Sequence, residues 1–352
     1  MSLAAVDLFS GAGGASLGFL QAGFRMLAAV DIDRRACGTY ARNIPGVEVL
    51  REDVRGLSGE DVLSSVGLGV GEVDVAVGCP PCQGFTDHGK PGDPRNSLVM
   101  EFARLISEMR PRAVVFENVP GMLKRGWPLL AGLMDGLGRA GYRYSWDVLN
   151  AADYGVPQIR RRIVLVAVRA DLGVEPSLPK PTHARPDEAG RLGLRPWRTV
   201  REAIADLPPL GPGERHPTIP NHEAPGHSPR VLELIRRVPK DGGSRKDVPR
   251  RYWLRCHRNH DGHHDVYGRM RWDSPAPTIT SGCYTPSKGR FIHPEQDRGI
   301  TMREAARLQG FPDDFVFEGP RQAVARQIGN ALPPPLARSI AEAVAEVLSR
   351  AP

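Results

Sequence analysis

The chain is 352 residues long and 41% hydrophobic, which fits a globular protein of two domains or of one domain with a large insertion. It has no apolar stretch that spans a bilayer, no secretory signal and no disulfide framework among five scattered cysteines, so we expect a cytoplasmic protein without a membrane partner. The net charge of the chain is +7, and residues 179–300 alone, with 22 Lys and Arg against 14 Asp and Glu, have a net charge of +8. This concentration of positive charge favours nucleic acid as a partner over a merely solvated surface.

The first predicted elements form a strand, a glycine-rich turn and a helix, with the strand over residues 4–9. Backbone in such a turn approaches a ligand closely, with the helix amino end pointing at it. A second strand over residues 26–30 ends at Asp31, an acid placed to hold ribose hydroxyls, and Asp53 after a third strand can accept from an adenine amino group. This pattern alone fits a nicotinamide dinucleotide, a nucleoside cofactor or no ligand, and the turn lacks the glycine spacing of dinucleotide sites.

A cysteine stands in a proline-stiffened turn after a buried strand predicted over residues 73–77. The turn places Cys82 at the carboxyl edge of the sheet, where open α/β folds build their active sites. A thiolate there is a strong nucleophile, and a packed thiol in a tight turn is the alternative. The polar, glycine-rich residues 84–98 follow, and Arg95 is their candidate for a phosphate contact.

Two further strands bring charged groups to the same predicted edge. The strand over residues 113–116 ends at Glu117, a carboxyl group placed for general-acid work unless it only caps the next helix. Arg160 and Arg162 precede an apolar strand over residues 163–168, and strand alternation predicts that they share one face. Paired guanidinium groups there suit an anionic or carbonyl-bearing substrate, with a solvated charge run as the alternative.

The basic region contains two runs that combine arginine with aromatic residues, 250–255 and 269–272, with packing of Tyr252, Trp253 or Trp272 in the core of the small domain as the alternative for the rings. Arginine reads guanine edges or binds phosphate. The predicted DNA contacts are Arg250, Arg251, Arg269 and Arg271. Residues 256–264 contain cysteine and histidine, but their spacing matches no standard zinc finger, so we predict no metal site and favour a phosphate-binding or structural histidine cluster.

The carboxyl end predicts two helices. Thr301 and Glu304 form a capping box, and Gly310 ends the helix that it opens. After residues 333–335, a run of prolines, apolar residues recur with helical spacing. We expect this final helix to pack on the first domain, which makes that domain discontinuous.

Six blocks of this sequence, in order, resemble the DNA (cytosine-5) methyltransferase family. They are residues 7–14, 80–83, 117–119, 158–162, 303–312 and 327–334. Any one block is a weak signal, whereas six in order are specific. Cys79 is a departure, since family members often carry glycine there, but Cys82 keeps its context.

The resemblance implies an α/β fold with a Rossmann-like S-adenosylmethionine-dependent methyltransferase domain, built on a mixed, mostly parallel, doubly wound sheet. This catalytic and cofactor-binding domain is expected over residues 1–178. A smaller target-recognition domain is expected over residues 179–318, inserted before the C-terminal helix. Residues 319–352 are expected to return to the catalytic domain.

The resemblance also implies a mechanism. Cys82 would attack carbon 6 of cytosine, Glu117 would hold ring nitrogen 3 and the exocyclic amine, and Arg162 would contact the carbonyl oxygen. Arg160 would support the loop or the phosphate backbone. Carbon 5 would then accept the methyl group of S-adenosylmethionine, on a base flipped out of the duplex.

The cofactor pocket follows from the same resemblance. Asp31 would bind the ribose, Ile32 would pack on the adenine face and Asp53 would accept from the adenine amine. The full set of implied cofactor residues is Phe9, Ser10, Gly11, Gly13, Gly14, Asp31, Ile32, Asp53, Pro80 and Asn330.

The implied partner is a specific double-stranded DNA sequence, modified by a monomer at the bacterial nucleoid within a restriction-modification system. A cognate restriction endonuclease acting separately is a candidate partner. Three alternatives remain at this point. They are an RNA (tRNA) cytosine-5 methyltransferase, a catalytically silent DNA-binding relative, and a nicotinamide-dependent oxidoreductase, which explains the first strand and turn but none of the later blocks.

Overall fold

The computed structural model describes residues 2–81, 83–85, 93–258 and 265–351, with Gln83 described by its backbone alone, and these residues form two compact units. Unit 1 consists of Met1–Tyr154, Arg161–Pro181 and Ala331–Pro352, and unit 2 of Gly155–Arg160 and Thr182–Asn330. The sequence-based boundary at residue 319 differs from this division. Residues 319–330 belong to unit 2, and the chain returns to unit 1 only at residue 331.

Unit 1 is built on a seven-stranded sheet with the order β3-β2-β1-β4-β5-β7-β6. Its strands are β1 (Ala4–Leu8), β2 (Arg25–Val30), β3 (Glu48–Leu50), β4 (Val75–Gly78), β5 (Ala113–Asn118), β6 (Tyr142–Asn150) and β7 (Arg161–Arg169). Neighbouring strands pair in parallel except around β7, which is antiparallel to both β5 and β6. The predicted mixed, mostly parallel sheet is therefore confirmed.

The three central strands are buried along their whole length, which explains their sequences. Every residue of β1, β4 and β5 is buried. Strands covered on both faces carry near-continuous apolar runs, and the runs AAVDL, VAVG and AVVFEN follow that rule with polar residues only near their ends. A polar side chain within such a strand is therefore exceptional and marks a position that the site can use.

Helices cover the sheet of unit 1. They are α1 (Gly14–Gln21), α2 (Arg34–Asn43), α3 (Gly59–Ser65), α4 (Leu98–Met109), α5 (Met122–Arg125), α6 (Trp127–Arg139) and, from the carboxyl end, α13 (Pro334–Ser349). The helix α4 buries Val99, Phe102, Leu105, Ile106 and Met109, a stripe with helical spacing. This apolar stripe joins the core beneath β4 and β5.

The final helix packs on the first helix, as the sequence predicts. The residues of α13 that face inward are Leu336, Ile340, Val344, Val347 and Leu348, all buried. The contact is closest at Gly18 of α1, where an added Cβ would lie 2.5 Å from Ala337 Cβ and 2.6 Å from the Pro334 carbonyl oxygen. Only glycine allows the two backbones to approach this closely.

We expect Gly18→Ala to lower the free energy of unfolding by about 1–3 kcal/mol, because the added methyl group overpacks against backbone atoms. Gly136→Ala in α6 is the matched control, since its Cβ would meet only Ala103 Cβ at 3.8 Å. There the higher helix propensity of alanine should raise stability by up to about 1 kcal/mol. Urea unfolding of both variants measures the two effects, and equal signs would contradict the close packing at Gly18.

Unit 2 has little regular structure. Its elements are β8 (His183–Ala184), β9 (Arg195–Pro196), α7 (Pro186–Leu192), α8 (Val200–Ile204), α9 (Pro229–Arg237), α10 (Arg255–Arg258), α11 (Met302–Gln309) and α12 (Arg321–Asn330). The predicted capping box is confirmed, since the Thr301 side chain accepts from the Glu304 amide, and α11 ends at Gly310 with φ 91°. Among the described residues, no helix is both long and apolar enough to cross a membrane.

Candidate active site

The carboxyl ends of β1, β4 and β5 meet at one edge of the unit 1 sheet. These strands pair in parallel, so they end side by side. Phe9 follows β1, Cys79 follows β4, and Glu117 is the next-to-last residue of β5. Open α/β sheets bind ligands at this edge, which makes it the candidate active site.

The glycine turn after β1 is held in a shape that most residues cannot adopt. Phe9 has φ 67° and Gly13 has φ 96°, both in the left-handed region. A Cβ on Gly13 would lie 2.9 Å from Ile44 Cδ1 and 3.0 Å from Tyr40 Cδ2, so α2 leaves no room for a side chain there. The helix α1 begins at Gly14, immediately after this turn. The turn thus presents bare backbone and a helix amino end at the edge of the sheet.

Asp31 joins the end of β2 to the glycine turn. Its Oδ2 accepts from the Gly11 amide at 2.8 Å and its Oδ1 from the Asp33 amide at 2.8 Å. Burial raises the pKa of this carboxyl group. In the same turn, the Ser10 hydroxyl oxygen is buried without a hydrogen-bond partner. A buried hydroxyl group of this kind calls for a partner that the described part of the chain does not supply.

The other predicted cofactor residues of unit 1 are Ile32, Asp53 and Pro80, and each has different surroundings. Ile32 is 66% exposed, although it is a large apolar side chain. Asp53 caps a short 3₁₀ helix and binds the Arg55 guanidinium group, which holds its pKa below the usual value. Pro80 is buried, and its carbonyl oxygen accepts from Asn118 Nδ2 at 3.3 Å.

Glu117 and Arg162 form an ion pair at the same edge. The distance from Arg162 Nε to Glu117 Oε1 is 2.8 Å, with the side chains 12% and 8% exposed. The β4–β5 register pairs Gly78 with Phe116, so Cys79 lies beside Glu117, and burial together with the Glu117 charge raises the pKa of the Cys79 thiol well above its usual value. Cys82, the predicted nucleophile, lies outside the described residues.

Arg160 does not share a strand face with Arg162, contrary to the sequence-based prediction. The strand β7 begins at Arg161, and Arg160 belongs to unit 2, where it is 1% exposed. Its guanidinium group donates to the carbonyl oxygens of Ile279 at 2.9 Å and Gly329 at 2.8 Å. A side chain enclosed in this way cannot reach a phosphate group, so Arg160 holds segments of unit 2 together.

Arg269 is likewise wrong as a predicted DNA contact. It is fully buried, and it donates to the carbonyl oxygens of Ile235, Val238, His293 and Gln296 while pairing with Asp297. The local sequence of residues 269–272 does not reveal this role, because the four carbonyl groups belong to residues 24–34 positions away along the chain. Arg269 is a structural residue of unit 2.

The remaining predicted DNA contacts are exposed. Arg250, Arg251 and Arg271 all lie on the surface of unit 2. Arg251 stacks 4.8 Å from the centroid of the Tyr252 ring. In unit 1, Arg95 is 53% exposed and binds the Asp93 carboxylate with two nitrogens. These side chains are exposed, and their role in DNA binding stays a prediction.

The described residues test neither the predicted cofactor contact of Asn330 nor the prediction that residues 256–264 bind no metal. Asn330 ends α12 in unit 2, and its contact with a cofactor stays a prediction. The cluster over residues 256–264 is described only as far as residue 258, so His260, His263 and His264 lie outside the described residues. The prediction that this cluster binds no metal therefore stays a prediction.

The sequence analysis missed two polar residues on the buried strands. Asn118 Nδ2 donates to the Pro80 carbonyl oxygen, and Asp7 in β1 accepts a hydrogen bond from the Ser16 hydroxyl group. Both carry a visible signal, since each is a polar residue in an otherwise apolar, fully buried run. Such residues are retained where a polar partner or a ligand requires them.

Comparisons with known proteins bear on this site. Residues 3–346 match the sequence profile of one family, C-5 cytosine-specific DNA methylase. Type II methyltransferase M1.HphI of Haemophilus parahaemolyticus is 42% identical over 350 residues, covering 98% of this chain and 87% of that protein. Type II methylase M.HgiDII of Herpetosiphon aurantiacus is 36% identical over 356 residues, covering 98% and 96%. A crystal structure from E. coli, described as a DNA modification methyltransferase encoded within a prophage, superimposes with a TM-score of 0.76 at 28% identity, covering 99% and 100%.

Proposed function

This chain belongs to the C-5 cytosine-specific DNA methylase family and is a DNA (cytosine-5) methyltransferase, and on that premise we propose that it methylates cytosine within one specific double-stranded DNA sequence with S-adenosylmethionine as donor. The observation that carries the proposal is the Glu117–Arg162 pair, 2.8 Å apart at the sheet edge that also holds the glycine turn. An acid and a guanidinium group held there suit a neutral ring with a carbonyl oxygen and a basic ring nitrogen.

The Cys82 thiolate starts the proposed reaction by adding to carbon 6 of the cytosine ring. The ring electron pair displaced by this addition makes carbon 5 nucleophilic, and carbon 5 takes the methyl group as the carbon–sulfur bond of the donor breaks and its sulfonium leaves as a neutral sulfide. Loss of the carbon 5 proton and elimination of the Cys82 thiolate then restore the double bond and release 5-methylcytosine. The reacting atoms must leave the base stack, so the cytosine is flipped out of the duplex at a cost of a few kcal/mol.

Glu117 and Arg162 supply the polar contacts to the flipped base. Glu117 takes up a proton from solvent when the flipped base replaces its Arg162 partner, and it then holds ring nitrogen 3 and the exocyclic amine. It donates that proton to nitrogen 3 as charge develops, while Arg162 contacts the carbonyl oxygen. Their ion pair supports this assignment because each side chain fixes the other at the edge before substrate arrives. The placement of Cys79 beside Glu117 keeps the carboxyl group enclosed on the β4 side.

The glycine turn fits the cofactor. The absent Cβ at Gly13, the unpartnered Ser10 hydroxyl group and the exposed apolar Ile32 are the features that support binding there. S-adenosylmethionine, when bound, supplies an electrophilic methyl group. Asp31 holds the ribose hydroxyls, Ile32 covers an adenine face, and the Ser10–Gly14 backbone receives the methionine part.

The basic unit 2 is the proposed target-recognition domain. Its exposed Arg250, Arg251 and Arg271 are proposed to contact DNA, and the unit 1 residue Arg95 a phosphate group. The names of the relatives, Type II methyltransferases, support a place in a restriction-modification system with a separate cognate endonuclease. We propose that the enzyme acts as a monomer on DNA in the bacterial nucleoid.

We expect Cys82→Ala to lower methyl transfer by more than about 10⁴-fold, because the variant lacks the thiolate that adds to carbon 6. The assay measures tritiated methyl transfer from S-adenosylmethionine to mixed genomic DNA and to total RNA, with the product identified as 5-methylcytosine. Cofactor affinity should not change, and its measurement serves as the control for folding.

Each outcome of this assay decides between the proposals. Label in DNA that is lost in Cys82→Ala supports both the substrate and the nucleophile. Label in RNA alone would replace the DNA substrate by RNA. Label that persists in the variant would overturn the role of Cys82, and cofactor binding without transfer to any duplex sequence would indicate a silent DNA-binding relative.

A further inference from the structure

A buried carboxyl group lies under the glycine turn, and only one of its two oxygens accepts a hydrogen bond from the described residues. Asp7, the fourth residue of β1, is 1% exposed. Its Oδ2 accepts from Ser16 Oγ at 2.6 Å, whereas its Oδ1 is buried and has no hydrogen-bond partner among the described residues. An unpartnered carboxylate oxygen in the protein interior costs several kcal/mol unless a compensating group is present.

The groups that face Asp7 do not supply that compensation. The titratable ones are Asp31 after β2, Tyr40 on α2 and Cys79 after β4, and all three are acids. Neither Asp7 nor Asp31 forms an ion pair with a Lys or Arg side chain of the described residues. Two carboxyl groups and an unpartnered Ser10 hydroxyl group thus surround one turn, and the described residues place no cation among them. What the described part of the chain does not supply to this turn is a positive charge.

The surroundings of Asp7 bring the pKa of its carboxyl group close to neutral pH. Burial raises the pKa of Asp7 to about 7, the Asp31 charge adds to that rise, and the Ser16 hydrogen bond opposes it. A positive charge bound nearby favours the ionised form of such a group. The carboxyl group is therefore able to exchange its proton when a charged ligand arrives at the turn.

The substrate and product of methyl transfer differ in charge. The sulfonium of S-adenosylmethionine gives that molecule a net charge of +1, whereas S-adenosylhomocysteine is a neutral sulfide of nearly the same shape. We propose that Asp7 is a buried selectivity residue, whose carboxylate favours the charged methyl donor over the neutral product and which releases its proton when the donor binds. The inference rests on the proposed function, because it requires the cofactor to bind at this turn.

The sign of the pH dependence follows from which form of Asp7 binds. The anionic form favours the cation, so affinity for S-adenosylmethionine rises as pH rises through the pKa of Asp7. If only the anionic form binds well, the apparent Kd is the intrinsic Kd divided by the anionic fraction. With a pKa of about 7, that fraction rises about tenfold from pH 6 to pH 8. The neutral product gains little, so selectivity should rise by the same factor.

Isothermal titration calorimetry of the full chain tests this without catalysis. We expect the Kd for S-adenosylmethionine to fall about tenfold from pH 6 to pH 8, and that for S-adenosylhomocysteine to change by less than about twofold. At pH 7, titration of the donor in buffers of different ionisation enthalpy should show release of a fraction of a proton. Titration of the product should show none, since linkage between proton and ligand is reciprocal.

Three variants assign the effect to Asp7. Asp7→Asn keeps the shape and removes the charge, so the pH dependence and the preference for the charged ligand should both disappear. Ser16→Ala removes the hydrogen bond that lowers the pKa of Asp7, so the pH dependence should persist with its midpoint at higher pH. Tyr40→Phe is the matched control in the same cluster, and it should leave the midpoint in place.

The outcomes separate this inference from the proposed function. A Kd for S-adenosylmethionine that does not vary with pH, or that varies as much in Asp7→Asn as in the wild type, would overturn the role of Asp7 alone. Equal pH dependence for donor and product would do the same. If neither ligand binds at any pH, the cofactor assignment itself fails.

Discussion

Glu117→Gln should reduce methyl transfer by roughly 10²–10⁴-fold at saturating DNA and cofactor, the range that general acids contribute. Glutamine has the size of glutamate, and its side-chain carbonyl oxygen can accept a hydrogen bond from Arg162 Nε. A neutral hydrogen bond can therefore replace the 2.8 Å ion pair. It cannot supply a proton to ring nitrogen 3. The loss should therefore appear in kcat rather than in the KM for DNA.

The location of Glu117 makes the substitution a clean test. Its side chain is 8% exposed, and Glu117 is the next-to-last residue of the buried strand β5, so its position is fixed by the register of β5 with its neighbours. The β5–β7 register pairs Asn118 with Ile163, which brings Arg162 to the same edge. A carboxyl group fixed on a rigid strand needs little reorganisation before it acts.

Asp74→Asn supplies the matched control for the loss of an ion pair in the same unit. Asp74 pairs with Arg112 at 2.9 Å, with both side chains partly exposed. It lies before β4, at the opposite end of that strand from Cys79. We expect this variant to retain transfer within about threefold, with any change confined to stability. If Glu117→Gln matched it in transfer, Glu117 would not be the acid.

The sequence predicted the central strands and the sheet edge because short-range patterns determine them. Runs of apolar residues bounded by glycine, proline or a polar residue mark strands buried on both faces, and β2, β4 and β5 end within two residues of the ends that these runs predict. The capping box at Thr301 and the glycine at the end of α11 are equally local signals. These features need no information from distant parts of the chain.

The roles of individual arginines could not be predicted in the same way. Arg160 and Arg162 stand two residues apart, yet one is enclosed by carbonyl groups of unit 2 and the other pairs with Glu117 in unit 1. Charge patterns treat the two alike. What separates them is the start of β7 at Arg161 and carbonyl groups from more than 100 residues further along the chain. Burial of a polar side chain depends on such distant partners.

Asp7 shows the complementary limit. Its position in the run AAVDL predicts a buried strand residue, but the sequence does not reveal that Ser16 occupies only one of its oxygens or that the facing groups are acids. A conflict between an apolar strand and a buried charge points to function when no cation resolves it. Both Asp7 and the arginines therefore required three-dimensional partners before a role could be assigned.

Arg269→Met should lower the free energy of unfolding of unit 2 by about 3–5 kcal/mol, because it removes a buried charge and leaves its partners unsatisfied. Methionine fills a similar volume without hydrogen-bond donors. Four buried carbonyl groups and the Asp297 carboxylate then lose the guanidinium group that binds them. Thermal unfolding and proteolysis of the full chain measure this effect.

Arg271→Met makes the same chemical change two residues further along and should have the opposite profile. Arg271 is exposed, so stability should change by no more than about 0.5 kcal/mol. If its charge neutralises a DNA phosphate, affinity for DNA should fall, and the slope of log K against log salt should decrease in magnitude by about one. Stable Arg269→Met protein would contradict the structural role of Arg269, and an unchanged salt slope in Arg271→Met would remove Arg271 from the DNA interface. The pair thus separates charge that holds unit 2 together from charge that unit 2 offers to DNA.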